Sequence, residues 1–560
     1  MLNQNFMKIK IDTFYMKSAV FLFFMGLLSA SCKMTAPAGE EVRQAPNVLF
    51  LAVDDLRPEL GCYGSPVAIS PNIDHLAAEG IQFNRAFVQQ AICGPSRASI
   101  LSGKRPMNSG ITHNYINFRD HMPEMVTLPQ MFANQGYNTV LYGKVFHHGH
   151  EDSLSVNYPA LKKHPEGVPQ PKGFHLKENM AIKQQTKEEM LAKYGKVARY
   201  GLFSGPAWEE AEVPDNAYVD GYNTDLAIAA MKDLAQQGKP FFLGLGMNKP
   251  HLNWTAPKKY WDLYEEADMP LSTDTLAPDG AARMGLHPSF ELRVRSGIPK
   301  QGPLDHALEV KLKLAYLACV SYIDAQLGRV MDALEAEGLR ENTIIVLWSD
   351  HGWHLGEKGI WGKATNFEVA TRVPFIIWTA GIEAHFQGAK CDGLVELIDI
   401  YPTLADLAGL EAPADLDGKS LRPLLQNPYQ EWNAPVLSQF PTPALREWGA
   451  YPLRPAMRET YFGPLIEEVE ARIKHQQGEK WERELFENYL MGYAMRTDRY
   501  RFIMWKDERS PASPTLHYEL YDHQTDPLEQ HNIAEKVPEL VKELEAVFEK
   551  QFLNTGVGAS

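Results

Sequence analysis

The run Asn47–Val53 (NVLFLAV) is apolar throughout after its first residue and stops at Asp54 and Asp55; residues 343–348 (TIIVLW) repeat the pattern before Ser349, Asp350 and His351. Apolar runs of this length without polar alternation belong to strands covered on both faces, so both predict buried parallel strands ending in polar side chains. Shorter runs at 139–142, 241–246 and 375–378 predict further strands, with helical spacing between them, including over 311–337. This alternation predicts a doubly wound α/β sheet, whose ligands bind beyond the carboxyl ends of the strands, where both acidic clusters fall. The main domain is expected over 46–410. From residue 411 the pattern changes to Pro-rich loops, a charged helix candidate over 465–491 and short strand candidates such as 500–505, predicting a smaller C-terminal α+β subdomain over 411–560. Leu540, Leu544, Val547 and Phe548 fall at helical spacing and predict a packing face in the last segment.

Composition narrows the function. With 44% hydrophobic and 22% charged residues the chain reads as a folded globular protein. Its formal net charge of -15 argues against a general nucleic-acid binder, so an anionic ligand needs a local basic pocket. Lys8, Lys10 and Lys17 precede an apolar run over 18–30, shorter than the roughly 20 residues that span a bilayer, which predicts an export signal over 1–32. Small residues before Cys32 suit a lipoprotein signal, with Cys32 as lipid anchor; Ser29 stands where an aliphatic residue is usual, which leaves plain cleavage as the alternative. The expected location is the periplasm or outer membrane of a bacterium. Residues 33–45, rich in Ala, Pro and Glu, read as a flexible tether. Cys62, Cys319 and Cys391 form no disulfide framework and read as small buried residues.

The sharpest local signal is Cys93-Gly94-Pro95-Ser96-Arg97, continuing to Leu101 and Gly103. Pro95 suits the first turn of a helix, which sets Cys93 at a helix N-terminus with free N–H groups and a dipole favourable to an anion. Arg97, one turn on, can reach back to the same site. The run fits C-x-P-S-R-x-x-x-L-x-G and resembles the signature of the type I sulfatases. That resemblance implies an alkaline-phosphatase-like fold and hydrolysis of sulfate esters on an oligosaccharide or polysaccharide. It also implies conversion of Cys93 to formylglycine by a maturase, one oxygen of the hydrated aldehyde then attacking sulfur.

Asp54, Asp55 and Asp350 offer hard carboxylate oxygens suited to Ca²⁺. Two aspartates at one strand end also serve as a helix cap or turn pair; two clusters at two strand ends favour a metal. The resemblance adds His351 and the converted Cys93 as ligands of one divalent ion. Gly143-Lys144-Val145-Phe146-His147, Lys249-Pro250-His251 and Lys363 resemble further blocks of the family. By that resemblance Lys144 and Lys363 bind the sulfate, His147 contacts the diol, and His251 stands where a proton donor to the leaving alcohol belongs. Histidine, with a pKa near neutrality, suits that task. His148, His150 and His354 fall outside the family pattern and read as supporting or substrate-side residues.

Within the family the likeness is greatest to enzymes of 2-O-sulfated uronic acids, through the blocks 53–64, 143–147, 350–353, 491–497 and 519–522. Arg496 is then a candidate for holding the uronate carboxylate, since a guanidinium can grip it with two hydrogen bonds. Residues 432–489 are longer than that branch implies and carry a helix-like stretch over 467–487, which keeps other sulfated glycans, algal ones included, in play. The rival readings are a same-fold phosphatase or phosphodiesterase, whose nucleophile would be Ser or Thr, and a non-catalytic glycan-binding lipoprotein with Cys93 unconverted.

Overall fold

The strand Asn47–Val53 sends alternate side chains to two cores: Leu49, Leu51 and Val53 join one, Val48, Phe50 and Ala52 the other. With both faces covered, no position between Val48 and Val53 is left for a polar residue, which accounts for the unbroken apolar run. The computed structural model describes residues 45–159, 169–449, 456–510 and 512–553. The expected export signal over 1–32, with Cys32, lies outside the described residues, as does all of the expected tether except Ala45. Among the described residues no helix is long and apolar enough to cross a membrane.

Asn47–Val53 lies inside an eight-stranded sheet, parallel to Thr343–Ser349 on one side and to Phe241–Met247 on the other, with Asn138–Gly143 beyond the latter. All four were legible as apolar runs. Past Thr343–Ser349 the sheet becomes mixed, because Phe375–Trp378 runs antiparallel to it and to Ile81–Phe87. Ile81–Phe87 also pairs with Arg372–Val373 and Lys390–Glu396. These last three strands carry polar and charged residues beside their apolar ones, so they form no continuous apolar run.

Helices cover both faces. His306–Ala336 begins at Asp305, whose carboxylate accepts from the Leu308 N–H at 2.8 Å, a cap that starts the helix ahead of the predicted residue 311. Its Ala315, Leu317 and Val320 share the core of Leu49, whereas Ile100 and Leu101 of the helix Cys93–Ser102 share that of Phe50.

A second, four-stranded antiparallel sheet follows, formed by Val436–Pro441, Leu490–Arg496, Tyr500–Asp507 and Thr515–Asp522. The helix Gly463–Gln477 packs in one core with Ala494, Ile503 and Trp505, and Pro538–Phe548 packs in another with Met495, Phe502 and Met504, so the sheet is covered on both faces. Two expectations need correction here. Residues 465–491 are not one helix: Gly478, with φ of 55°, ends it, and Leu490 already opens a strand. Val547 is 37% exposed, and Val541 takes its place beside Leu544 and Phe548 in the packing face. The small sheet is tied to the segment before Cys93, Gln439 N donating to Gln89 O at 2.8 Å and Ser438 Oγ to Val88 O at 2.5 Å. The described residues form one compact unit.

One close approach sets the height of the loop that follows Asn138–Gly143. Gly143, with φ of 67°, stands opposite Gly246, and Lys144 N donates to the Gly246 carbonyl at 2.9 Å. A Cβ at Gly246 would overlap the Lys144 carbonyl. Gly246→Ala is therefore expected to lower unfolding stability by about 1–3 kcal/mol, as overpacking does. Urea denaturation checks this; an unchanged midpoint would show that the loop shifts freely.

Candidate active site

Register delivers the acidic residues. Val53 pairs with Ser349, so the next residues of both strands emerge side by side at the carboxyl edge of the sheet. Asp350 N donates to Val53 O at 3.1 Å, and Asp55 N to Asp350 Oδ1 at 3.2 Å. Asp55 adopts φ of 63°, a left-handed conformation that Asp tolerates better than most residues, and the Tyr316 hydroxyl holds its carbonyl at 2.9 Å. The strained turn lets consecutive aspartates face one centre.

Cys93 is the first residue of its helix, after an extended Ile92, and Gly94 N donates to Asn114 Oδ1 at 2.8 Å. Its Sγ lies 3.3 Å from Asp54 Oδ1, 3.3 Å from His351 Nε2 and 3.5 Å from Lys363 Nζ. Burial, reinforced by the Asp54 charge, pushes the thiol well above its ordinary pKa. As an unmodified cysteine it is a poor nucleophile.

Asp54, Asp55, Cys93 and His351 each point one donor atom into a space where these atoms lie within 4.8 Å of one another. Asp55 Oδ2 is buried without a hydrogen-bond partner among the described residues. Burial pushes the Asp55 carboxyl up to about 7 against the pull of Lys363, the neighbouring Asp54 adding to the rise. Burial raises Asp54 too, but Lys144, His251, Arg97 and Lys363 together hold it well below the usual carboxylate range. An orphaned carboxylate oxygen beside a second carboxylate is what a divalent cation satisfies. Asp350 stands at the rim of this cluster: Oδ2 accepts from Arg97 Nε at 2.8 Å, and Oδ1 is 3.6 Å from His351 Nε2.

The expected basic residues divide into two groups. Lys144, paired with Asp54, and Lys363, 2.8 Å from Asp55 Oδ1, line the cavity beside Cys93 and stay charged because those carboxylates outweigh burial. Arg97 lies behind it, fully buried, donating to Asp350 and to the carbonyls of Lys144 and Val145, with its guanidinium 5.5 Å from the Trp348 ring. It fixes the carboxylates and the lysine loop from beneath.

His147 also lines the cavity; burial and the Lys144 charge push it down to about 2, so its ring is neutral, with Nδ1 unpartnered among the described residues. His251 lies opposite, Nε2 3.0 Å from Glu291 Oε1 and Nδ1 2.5 Å from Leu252 O. Both ring nitrogens face acceptors, the arrangement of a protonated imidazole; burial and Lys363 nevertheless outweigh Asp54 and Glu291 and hold the ring below its ordinary pKa. Lys249 does not reach the cavity, since its Nζ donates to the carbonyls of His251 and Asn253 and shapes their loop. His148 is exposed beside Asn248, His150 stacks edge-on to His147, and His354 is buried against Thr365 Oγ1 at 2.8 Å.

Arg496 is not part of this cavity. Its Nε donates to Glu368 Oε2 at 2.8 Å and its terminal nitrogen to the carbonyls of Thr497 and Asp498, within an ion-pair network shared with Arg501 and Glu529. Nε and one terminal nitrogen are thus engaged away from the lining of the Cys93 cavity. Sequence reasoning missed Glu291, Arg295, Asn114 and Trp448, all of which line the cavity. Glu291 and Arg295 come from a segment with no strand or helix periodicity, around the single turn Phe290–Arg293, and only the fold carries them to the site.

Removing bound metal by chelation and then adding Ca²⁺ or Mg²⁺ is expected to raise unfolding stability, by about 2.7 kcal/mol at a hundredfold excess over Kd. Asp55→Ala should abolish the rise. An equal rise in the variant, read by urea denaturation, would move the cation elsewhere.

Residues 46–410 match the family profile described as Sulfatase. Iduronate 2-sulfatase of Mus musculus is 32% identical over 91% of this chain and 95% of its own length. N-acetylglucosamine-6-O-sulfatase of Bacteroides thetaiotaomicron is 26% identical over 96% of this chain and 91% of its own. A structure solved with its substrate D-glucosamine-2-N,6-O-disulfate superposes with a TM-score of 0.61 at 22% identity, covering 91% of this chain and 99% of that one. This last likeness is one of fold, and the mixed sheet with its small C-terminal sheet is of the alkaline-phosphatase-like class.

Proposed function

Because this chain belongs to the sulfatase family and is a sulfuric ester hydrolase of sulfated glycans, we propose that it removes the 2-O-sulfate of a uronic acid. The likeness to iduronate 2-sulfatase over nine-tenths of the chain supports that substrate. We assign the nucleophile to Cys93 after its conversion to formylglycine by a maturase, one oxygen of the hydrated aldehyde attacking sulfur. The observation that carries the reading is the convergence on Cys93 of two carboxylates and a histidine, with two lysines that line the same cavity as Cys93.

Each group has a task its surroundings suit. Lys144 and Lys363, both charged, hold the sulfate oxygens and offset the charge that gathers on them. Asp54, Asp55, Asp350 and His351 would hold one divalent ion, and the predominance of hard oxygen donors favours Ca²⁺. Bound there, it would supply Lewis-acid stabilisation of the sulfate oxygens and the nucleophile. The neutral His147 ring, with Nδ1 unpartnered among the described residues, can accept a hydrogen bond from the hydrated nucleophile. His251, steered by Glu291, gives its Nε2 proton to the departing sugar oxygen, sparing the loss of a free alkoxide. Arg97 acts through the carboxylates and the lysine loop, as a positioning residue. Export to the periplasm or outer membrane, with or without lipid on Cys32, belongs to the same proposal and rests on residues 1–32.

A panel of defined sulfated disaccharides tests the substrate: protein co-produced with a maturase should release sulfate from a 2-O-sulfated uronate in preference to 6-O-sulfated glucosamine or sulfated algal oligosaccharides. Cys93→Ala should lose about three orders of magnitude or more of that turnover while keeping its unfolding midpoint. Undiminished turnover would refute the assigned nucleophile, and a preference for another member of the panel would replace the substrate.

A further inference from the structure

Five arginines are buried among the described residues: Arg97, Arg293, Arg295, Arg496 and Arg501. Four have their guanidinium groups engaged. Arg97, Arg496 and Arg501 donate to carboxylates, and Arg293 donates to the carbonyls of Pro288, Pro299 and Gly302. Arg295 is the exception. It is 6% exposed and lines the cavity of Cys93, its Nε is buried without a partner, and among the described residues its side chain makes no hydrogen bond or ion pair.

A guanidinium left without an acceptor in the wall of a cavity is costly, and its planar donors ask for an oxyanion. The nearest candidate within the chain is taken, since Glu291 Oε1 meets His251 at 3.0 Å and Oε2 faces Lys363 at 3.5 Å. The main chain holds Arg295 in place: its N–H donates to Leu292 O at 2.9 Å and its carbonyl accepts from Lys300 Nζ at 2.8 Å. The Tyr461 hydroxyl, close enough to feel the Arg295 charge, also lacks a partner among the described residues.

We infer that Arg295 is a specificity-determining residue that grips a second oxyanion of the substrate, the carboxylate of the sulfated uronate, while Lys144 and Lys363 hold the sulfate. This rests on the substrate reading above and assigns to Arg295, which lines the cavity, the task expected of Arg496, which does not. A guanidinium offers a carboxylate two parallel hydrogen bonds, a match that lysine lacks. Substrates with a neutral group at that position leave Arg295 buried and unsatisfied, so the residue discriminates against them as well as in favour of the acid.

The test compares a 2-O-sulfated uronate disaccharide with its carboxyl-reduced analogue, a primary alcohol. The wild type is expected to favour the acid by about 10- to 100-fold in kcat/KM, the range of a hydrogen bond to a charged group. Arg295→Gln should abolish that preference, lowering turnover of the acid and raising that of the alcohol as the unsatisfied guanidinium is removed, with Arg295→Lys between. Equal losses on both substrates, or a preference for the acid that survives in Arg295→Gln, would overturn the inference. If the wild type cleaves an aryl sulfate and neither uronate, the substrate reading fails instead. The inference is then decided on 6-O-sulfated glucosamine with and without an N-sulfo group: loss of a preference for the second sulfo group in Arg295→Gln sustains it, and an intact or absent preference overturns it.

Discussion

The parallel register of Asn47–Val53 with Thr343–Ser349 is the constraint on which the site depends. Val53 opposite Ser349 places Asp54, Asp55, Asp350 and His351 at the same height above the sheet. A slip of one residue would turn each strand's apolar side chains toward the wrong core and carry the carboxylates apart. The two cores that claim alternate residues of Asn47–Val53 therefore hold the chemistry in place as well as the fold.

Gathering carboxylates there creates a charge problem that the rest of the site resolves. Asp54, Asp55 and Asp350 are all buried, and Arg97, Lys144 and Lys363 are buried among them. Removing one partner from such a set costs about 3–5 kcal/mol, because a buried charge is left behind. Even so the set is incomplete, for Asp55 Oδ2 has no partner among the described residues and Arg295 has none for its guanidinium. One gap asks for a cation and the other for an anion. Both open on Cys93, the residue that sits between the two strand ends at the start of its helix.

Much of this was legible in the sequence wherever one physical rule acted alone. The central parallel strands announced themselves because burial on both faces forbids polar residues, and the cluster at Cys93 because its residues lie within short motifs at strand and helix ends. Legibility failed where several influences competed. Ile81–Phe87 and Lys390–Glu396 mix polar with apolar residues, and the charged stretch after residue 465 changes from helix to strand without a change in composition. Glu291 and Arg295 come from a turn-rich segment whose placement is decided by packing, and nothing local sets them apart from Arg293 between them, which serves only the backbone. Arg496 misled for a related reason: its sequence neighbourhood resembles the family, but its partner Glu368 lies 128 positions away and is invisible until the chain is folded.

The central claim is that the cavity is built around a converted Cys93 rather than a thiol. Mass spectrometry of the tryptic peptide 86–97, from protein co-produced with a formylglycine-generating maturase, tests it directly. The account predicts an aldehyde, with its hydrate, in place of the sulfur of Cys93. A peptide that carries only the free thiol, from protein that nevertheless hydrolyses sulfate esters at full rate, would contradict it.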